Sequence, residues 1–296
     1  MRTIATSMLA MVFGLWTGAT QAQSDNSREE ATAEKGPRTL LEALQGGRVA
    51  KEPPSEEEDR LDPDRPHFPE ASTAVGNGRV MLESGYTFSS KGATFATHSF
   101  PEALMRVGML ADWFEFRVGQ SFLQQRETLA GVTTTKSGFQ DLYLGAKFAL
   151  MDQHGWAPAV ALIPQMTVPT GARAVTGGRA LPGVNTDFSW EIVKGFFGVE
   201  LLVASNRVQD DVRGSRFELA TGLTGTFQLT RRLESFIEWD AFYPTGGIGP
   251  AAPRHYAVGG LVYFISPNLA VDARFGVGLN HSSNDFVAGL GFAVRR

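Results

Sequence analysis

Alternation of apolar with small or polar positions dominates the C-terminal part of this chain. In 285–295, Phe286, Ala288, Leu290, Phe292 and Val294 share one side of an extended backbone, and Gly289, Gly291 and Ala293 share the other. In 269–279, Val271, Ala273, Phe275 and Val277 oppose Asp272, Arg274, Gly276 and Gly278. Successive side chains of a strand point to opposite faces, so period two with one apolar face predicts a half-buried strand. From Arg79 onward the pattern predicts twelve strands, at 79–90, 100–110, 113–123, 139–150, 156–168, 184–194, 197–206, 216–228, 232–243, 255–265, 269–279 and 285–295. Thus Leu142, Leu144, Ala146, Phe148 and Leu150 oppose Asp141, Tyr143, Gly145, Lys147 and Ala149.

Two architectures use such strands. A soluble sandwich hides the apolar face, whereas a transmembrane barrel turns it to lipid and lines its lumen with the polar one. The connections decide. Every second one is short: 111–112, 151–155, 195–196, 229–231 and 266–268. Those between are longer, at 90–99, 124–138, 169–183, 206–215 and 244–254, with only 280–284 brief. Short turns at one end and long loops at the other is the outer-membrane pattern. The predicted fold is all-β, an antiparallel transmembrane β-barrel of about twelve strands, the strand number read from the periodicity. An even number places both barrel ends on the periplasmic side. Trp113, Trp156, Phe196, Phe197 and Phe264 flank short turns, where an interfacial aromatic girdle belongs.

Upstream of the barrel the pattern changes. Residues 1–22 read as a cleaved signal peptide: Met1-Arg2, then a mostly apolar run from Ile4 to Ala19, then small residues ending at Ala22. Residues 23–66 hold 12 acidic and 7 basic residues, against 19 of each in 67–296. This acidic stretch is too polar to offset its ordering entropy and reads as a disordered periplasmic linker. Within it, Thr39 to Gln45 followed by Gly46-Gly47 predicts a short helix, a candidate docking element. The Pro-punctuated segment 62–72 either tucks into the barrel mouth or leads into the first strand, and the barrel is assigned to 67–296.

Composition narrows the function. The chain has 33 Gly, 21 Phe and no Cys. Export without disulfides suits a barrel closed by hydrogen bonds. A neutral barrel without a basic face excludes nucleic acid as a partner. The expected partners are outer-membrane lipid, the barrel insertion machinery and a small-molecule solute, in the cell outer membrane. His67, His98, His154 and His255 lack metal-ligand spacing, and there is no nucleotide-binding motif, so no metal or cofactor is expected. His281-Ser-Ser-Asn284 contains hydrolase residue types, but a single turn rarely supplies nucleophile-to-base geometry, and Ser and Asn favour turns. No catalytic residue is assigned, and an enzyme is not expected.

Charges are costly on a lipid face and therefore point inward. The lumen candidates for solute binding are Glu83, Arg106, Glu115, Arg117, Asp141, Lys147, Glu191, Glu218, Glu238, Asp240, Asp272 and Arg274, with Glu102, Asp187, Glu200, Arg216 and Glu234 on the same parity. Twelve strands fall between a barrel filled by side chains and a wide aqueous channel, which predicts a narrow pore or ligand slot. The acidic excess leans selectivity toward cations or neutral solutes. Two readings stand: a polar path that selects solutes, or a lumen of mutually satisfied ion pairs that plugs the barrel.

Several stretches, in order, carry a resemblance over 64–296. They are Asp64-Arg-Pro-His-Phe-Pro-Glu70, Gly78-Arg-Val-Met-Leu-Glu-Ser-Gly-Tyr-Thr-Phe88, Pro101-Glu-Ala-Leu-Met-Arg-Val-Gly108, Asp141-Leu-Tyr-Leu-Gly-Ala-Lys147, Pro169-Thr-Gly171 and Gly278-Leu-Asn280 followed by Asp285-Phe286. The chain resembles a family of bacterial outer-membrane transport proteins linked to a meta-pathway of phenol degradation. The resemblance implies a barrel passing small, often aromatic, molecules, and supplies no assigned binding site. One departure is the C-terminus. Such barrels often end on an aromatic residue that assists assembly, whereas this chain ends Val294-Arg295-Arg296, with Phe292 nearby on the apolar face. The expected function is passive or facilitated passage of small hydrophobic or aromatic solutes; the alternative is a structural or anchoring barrel with a plugged lumen.

Overall fold

The computed structural model describes residues 36–46, 59–210, 214–245 and 252–296. The segment read as a signal peptide and most of the stretch read as an acidic linker lie outside the described residues. All described residues belong to one unit, Lys35–Arg296. Thirteen strands follow a short helix α1, Leu40–Leu44. They are β1 Val80–Lys91, β2 Phe95–Gly108, β3 Phe114–Leu129, β4 Val132–Phe139, β5 Leu142–Met151, β6 Ala159–Val168 and β7 Leu181–Val193. The chain continues with β8 Phe197–Asp210, β9 Gly214–Thr230, β10 Leu233–Thr245, β11 Arg254–Ser266, β12 Leu269–Gly278 and β13 Phe286–Arg295. Neighbours pair antiparallel throughout, and β1 pairs with both β2 and β13, so the sheet closes.

The thirteen strands make a closed antiparallel barrel of twelve wall positions. β4 and β5 share one position: β3 pairs with β5 along Phe114–Gly119 and with β4 along Phe122–Leu129. The predicted loop 124–138 is therefore a hairpin that continues the wall upward. Ala130 and Gly131 take φ of 49° and 78° at its tip, the positive pair a two-residue turn of the right twist requires. Thr128 and Thr133 share a hydroxyl hydrogen bond across it at 2.9 Å. Likewise β1 and β2 run on to Lys91 and Phe95, and β8 and β9 to Asp210 and Gly214, so the predicted loops 90–99 and 206–215 are mostly strand. The long-loop end is long chiefly because its strands continue, held by cross-strand hydroxyl pairs such as Ser89 with Thr97.

The two faces separate as the alternation predicts. Outward, Leu261, Val271, Phe275, Leu290 and Phe292 are all exposed from the wall. Inward, their strand neighbours Val262, Asp272 and Ala293 are at most 8% exposed. No helix among the described residues is long and apolar enough to cross a membrane; the apolar outer belt belongs to strands. Trp156 and Phe196 stand out beside short turns, but Phe264 does not join them. It points inward, 4% exposed, with Arg60 over its ring at 3.7 Å. Residues 261–265 are apolar on both sides, so alternation there leaves the face undetermined.

α1 forms where predicted. The Thr39 hydroxyl accepts from the Glu42 N–H at 3.2 Å, and the Glu42 carboxylate accepts from the Arg38 N–H at 2.9 Å. This is a capping arrangement satisfying donors the first turn leaves free.

Candidate functional site

The lumen is occupied by the chain itself. Residues 59–77, just upstream of β1, run inside the barrel as a plug. The linker boundary drawn at residue 66 falls within this segment, of which Leu61, Asp64 and Pro66 are already buried. The plug has little regular structure, so its backbone N–H groups need partners, and inward carboxylates of the wall supply them. Glu83 accepts from Asp64 N–H at 3.2 Å and Arg65 N–H at 3.0 Å. Glu238 accepts from Phe68 N–H, Asp187 from Glu70 N–H and Glu115 from Val75 N–H, each at 2.9 Å. Wall cations take plug carbonyls in return: Arg106 donates to Asp62 O and Thr73 O, Lys147 to Ala71 O, and Arg274 to Pro66 O.

At the centre sits Asp64, itself part of the plug. Its carboxylate lies 2.6 Å from Arg117 Nη2, 2.9 Å from Lys147 Nζ and 3.1 Å from Arg106 Nη1, and accepts from its own segment at Ala71 N–H. Arg106 also pairs with Glu83 at 3.0 Å and Glu115 at 2.8 Å, and Arg117 with Glu70 of the plug at 2.8 Å. Glu83, Arg106, Glu115, Arg117 and Lys147 are at most 1% exposed. Buried charge persists only where every ion is paired and hydrogen-bonded, and the plug completes that pairing.

Further contacts anchor the rest of the plug. Arg65 reaches Glu102 at 2.9 Å and Asp272 at 3.5 Å, lying where a Cβ on Gly85 or Gly291 would stand. His67 contacts Glu200 at 3.2 Å and packs edge-on to Phe236. Phe68 meets Phe242, and with Pro69 it rests on the flat backbone at Gly222, 2.9 Å from where a Cβ would stand. At the short-turn end, Leu61 and Val75 join Met81, Val262, Phe264, Ala270 and Ala293 in an apolar cluster.

Most of the sequence-predicted lumen residues meet at this plug, and three stand elsewhere. Glu191 lies exposed at the β7–β8 turn, where it accepts from Gly195 N–H at 2.7 Å; its parity is inward, but it sits beyond the packed lumen. Asp141, in the β4–β5 break, binds the β6–β7 loop through Gly171, Thr176 and Gly177. Glu218 pairs with Arg254 at 2.8 Å near the long-loop rim. Asp240 is buried beside Glu238 in sequence parity, and Arg274, besides Pro66, bonds Thr87 at 3.2 Å. Sequence reasoning missed Asp64, Arg65, His67 and Glu70 as site residues. Their signal was the charge cluster within the Pro-punctuated segment 62–72.

Above the plug, toward the long-loop end, lies a cavity of about 710 Å³. Its floor includes Asp64, Phe68 and Glu70 of the plug; its walls include Leu104, Tyr143 and Leu181. Gln165, Asn185 and Asn206 form a side-chain amide network at 3.0–3.1 Å across β6, β7 and β8. A second cavity of about 610 Å³ opens at the short-turn end, between the plug base and residues such as Arg79, Asp152 and Arg295. Arg79 pairs there with Asp59 at 2.6 Å. His281-Ser-Ser-Asn284 is turn chemistry: Ser283 bonds the backbone of His255 and the Asn280 side chain.

The architecture has relatives of known structure. A COG4313 outer membrane channel from Pseudomonas putida F1 is 14% identical over 77% of this chain and 99% of its own, with a TM-score of 0.60. The NanC porin is 10% identical over 73% and 98%, with a TM-score of 0.48. The CymD monoaromatic hydrocarbon channel is 10% identical over 74% and 88%, with a TM-score of 0.38. No curated protein sequence matches. A family model described as "Putative MetA-pathway of phenol degradation" matches residues 63–295, a span that takes in both plug and barrel, and the chain belongs to that family.

Proposed function

We propose that this chain is an outer-membrane channel for small solutes with apolar bodies, closed by its own N-terminal plug in the conformation described. The observation that carries this reading is the cavity of about 710 Å³ above the plug. It is open toward the long-loop end and lined by both apolar and hydrogen-bonding side chains, the composition of small-molecule sites generally. Family membership and the channel fold of the Pseudomonas putida relative support it. In this reading the outward apolar belt meets outer-membrane lipid, and Phe292 at the end of β13 stands where the insertion machinery reads a terminal strand. Passage requires the plug to shift, because its ion pairs cross the lumen.

A second reading has its own support: the plug pairs with the central lumen charges Glu83, Arg106, Glu115, Arg117 and Lys147, as a rigid anchor for the acidic segment upstream requires. Solute flux into vesicles holding the refolded protein separates the two. Uptake of small apolar solutes above that of protein-free vesicles supports the channel. Absence of flux for every size and chemistry, in wild type and in a plug-weakened variant alike, supports the anchor.

A further inference from the structure

The plug carries opposite charges to opposite sides of the lumen. Asp64 and Glu70 turn to Arg106, Arg117 and Lys147 on β2, β3 and β5. Arg60, Arg65 and His67 turn the other way: Arg60 lies 3.6 Å from Glu234, Arg65 3.5 Å from Asp272 and His67 3.2 Å from Glu200. The wall is unequal beneath them. On β1 to β5, Glu83, Glu102 and Glu115 match Arg106, Arg117 and Lys147 in charge. On β8 to β12, Glu200, Glu234, Glu238, Asp240 and Asp272 stand with Arg274. Displacing the plug leaves that acidic side short of cations, and a confined surface of one sign concentrates the opposite charge.

Arg65 shows the shape in which that side receives a cation. Asp272 of β12, Gly291 of β13 and Gly85 of β1 are register partners in one row, so two glycines make a flat shelf beside the carboxylate. The guanidinium lies on it, and a Cβ at either glycine would stand inside the group. Nη1 donates to Glu102 at 2.9 Å; Nη2 donates to the Leu290 carbonyl at 3.2 Å and reaches Asp272 at 3.5 Å. The Thr87 hydroxyl donates to the same Glu102 oxygen at 2.9 Å and helps fix it. Arg65 Nε is buried with no acceptor, and an unpaired buried donor is costly. The shelf therefore serves two nitrogens of a planar cation and not the third. An amidinium has only two, with carbon where the guanidinium has Nε. Arg65 and Glu102 both line the 710 Å³ cavity, as does Leu104, two residues along β2 from Glu102, so the shelf borders the space open to solute and an apolar wall.

We infer that the Gly85–Gly291 shelf, with Glu102, Asp272 and the Leu290 carbonyl, is a binding site for the amidinium head of a small solute with an apolar body, and that Arg65 is its tethered occupant while the plug is seated. This rests on the channel reading above and adds to it the head chemistry and a competition between solute and plug. Benzamidinium, benzamide and benzoate share one shape and differ in charge. Each is titrated by calorimetry, at neutral pH, into the folded full-length chain in detergent, as wild type and as Arg65→Ala, with heat-modifiable migration on gels reporting the barrel. Benzamidinium binds both, and about tenfold or more tightly to Arg65→Ala, which lacks the tethered competitor; benzamide and benzoate bind neither. Adding Gly291→Ala to Arg65→Ala puts a methyl group on the shelf and abolishes the gain. Equal affinity for wild type and Arg65→Ala, benzamide binding as well as benzamidinium, no benzamidinium binding to wild type, or a gain that survives Gly291→Ala overturns the inference. Wild-type binding alone still decides between the three probes if Arg65→Ala does not fold. Flux of the same probes is read in vesicles against protein-free controls. Benzamidinium binding as described without flux of any solute removes the channel reading alone; flux without the described binding removes the site alone.

Discussion

Asp64→Asn tests whether the plug is held by its central ion cluster. Asp64 lies within 3.1 Å of Arg106, Arg117 and Lys147, and belongs to the plug and not to the wall. The amide keeps one acceptor but removes the charge, leaving three buried cations to the remaining carboxylates. Breaking a buried pair by removing one partner costs about 3–5 kcal/mol. That cost falls on the plugged state only, because with the plug displaced the wall cations meet water. At about 1.4 kcal/mol per factor of ten, the displaced fraction rises by roughly two to three and a half orders of magnitude. The barrel ladders do not use Asp64, so heat-modifiable migration on gels stays that of the folded barrel. Single-channel recording then shows more frequent or longer openings than wild type, and when Ser72→Cys adds a single reporter thiol to the buried part of the plug, a membrane-impermeant maleimide labels that thiol faster in the Asp64→Asn barrel. Wild-type conductance together with wild-type labelling in a folded Asp64→Asn barrel would refute the reasoning, since the cluster would then not be what holds the plug.

Other perturbations separate wall from plug. Gly222→Leu puts a side chain where Phe68 and Pro69 rest, with 2.9 Å to each ring from the first added carbon, so it should expose the thiol of the Ser72→Cys reporter while preserving the β9–β10 ladder; unaltered labelling would show that the ring contacts are dispensable. Leu290→Arg, on the outward face and 61% exposed, should lower folding stability into lipid vesicles by about 2–4 kcal/mol, read from urea titrations. A cost near zero would mean that this face does not meet hydrocarbon.

Much of the wall was legible in one dimension. Alternation at Val271–Val277 and Phe286–Val294 marks which side chains leave the lumen, because a strand has only two faces and charge tolerates only one of them. The strand count followed for the same reason. Where both faces are apolar, at 261–265, the pattern left Phe264 undetermined, and it turned inward under Arg60. The hairpin at 124–138 was hidden because Ala130-Gly131 is a weaker turn signal than Asn-Gly, and a polar threonine run looks like a loop until its hydroxyls find cross-strand partners.

The sequence by itself determined the membrane-spanning period, the inward parity of Glu83, Arg106, Glu115, Arg117 and Lys147, and the family carried by 63–295. It left open whether those charges meet water or each other. Only the closed barrel decided that, by bringing Asp64 across 53 residues of chain to Arg117 and 83 to Lys147. Local alternation encodes the direction of a side chain relative to its own strand, whereas ion pairing depends on strand stagger and on what fills the enclosed volume. Glu191 and Asp141 show the same limit: their parity was readable, but their height along the barrel was not.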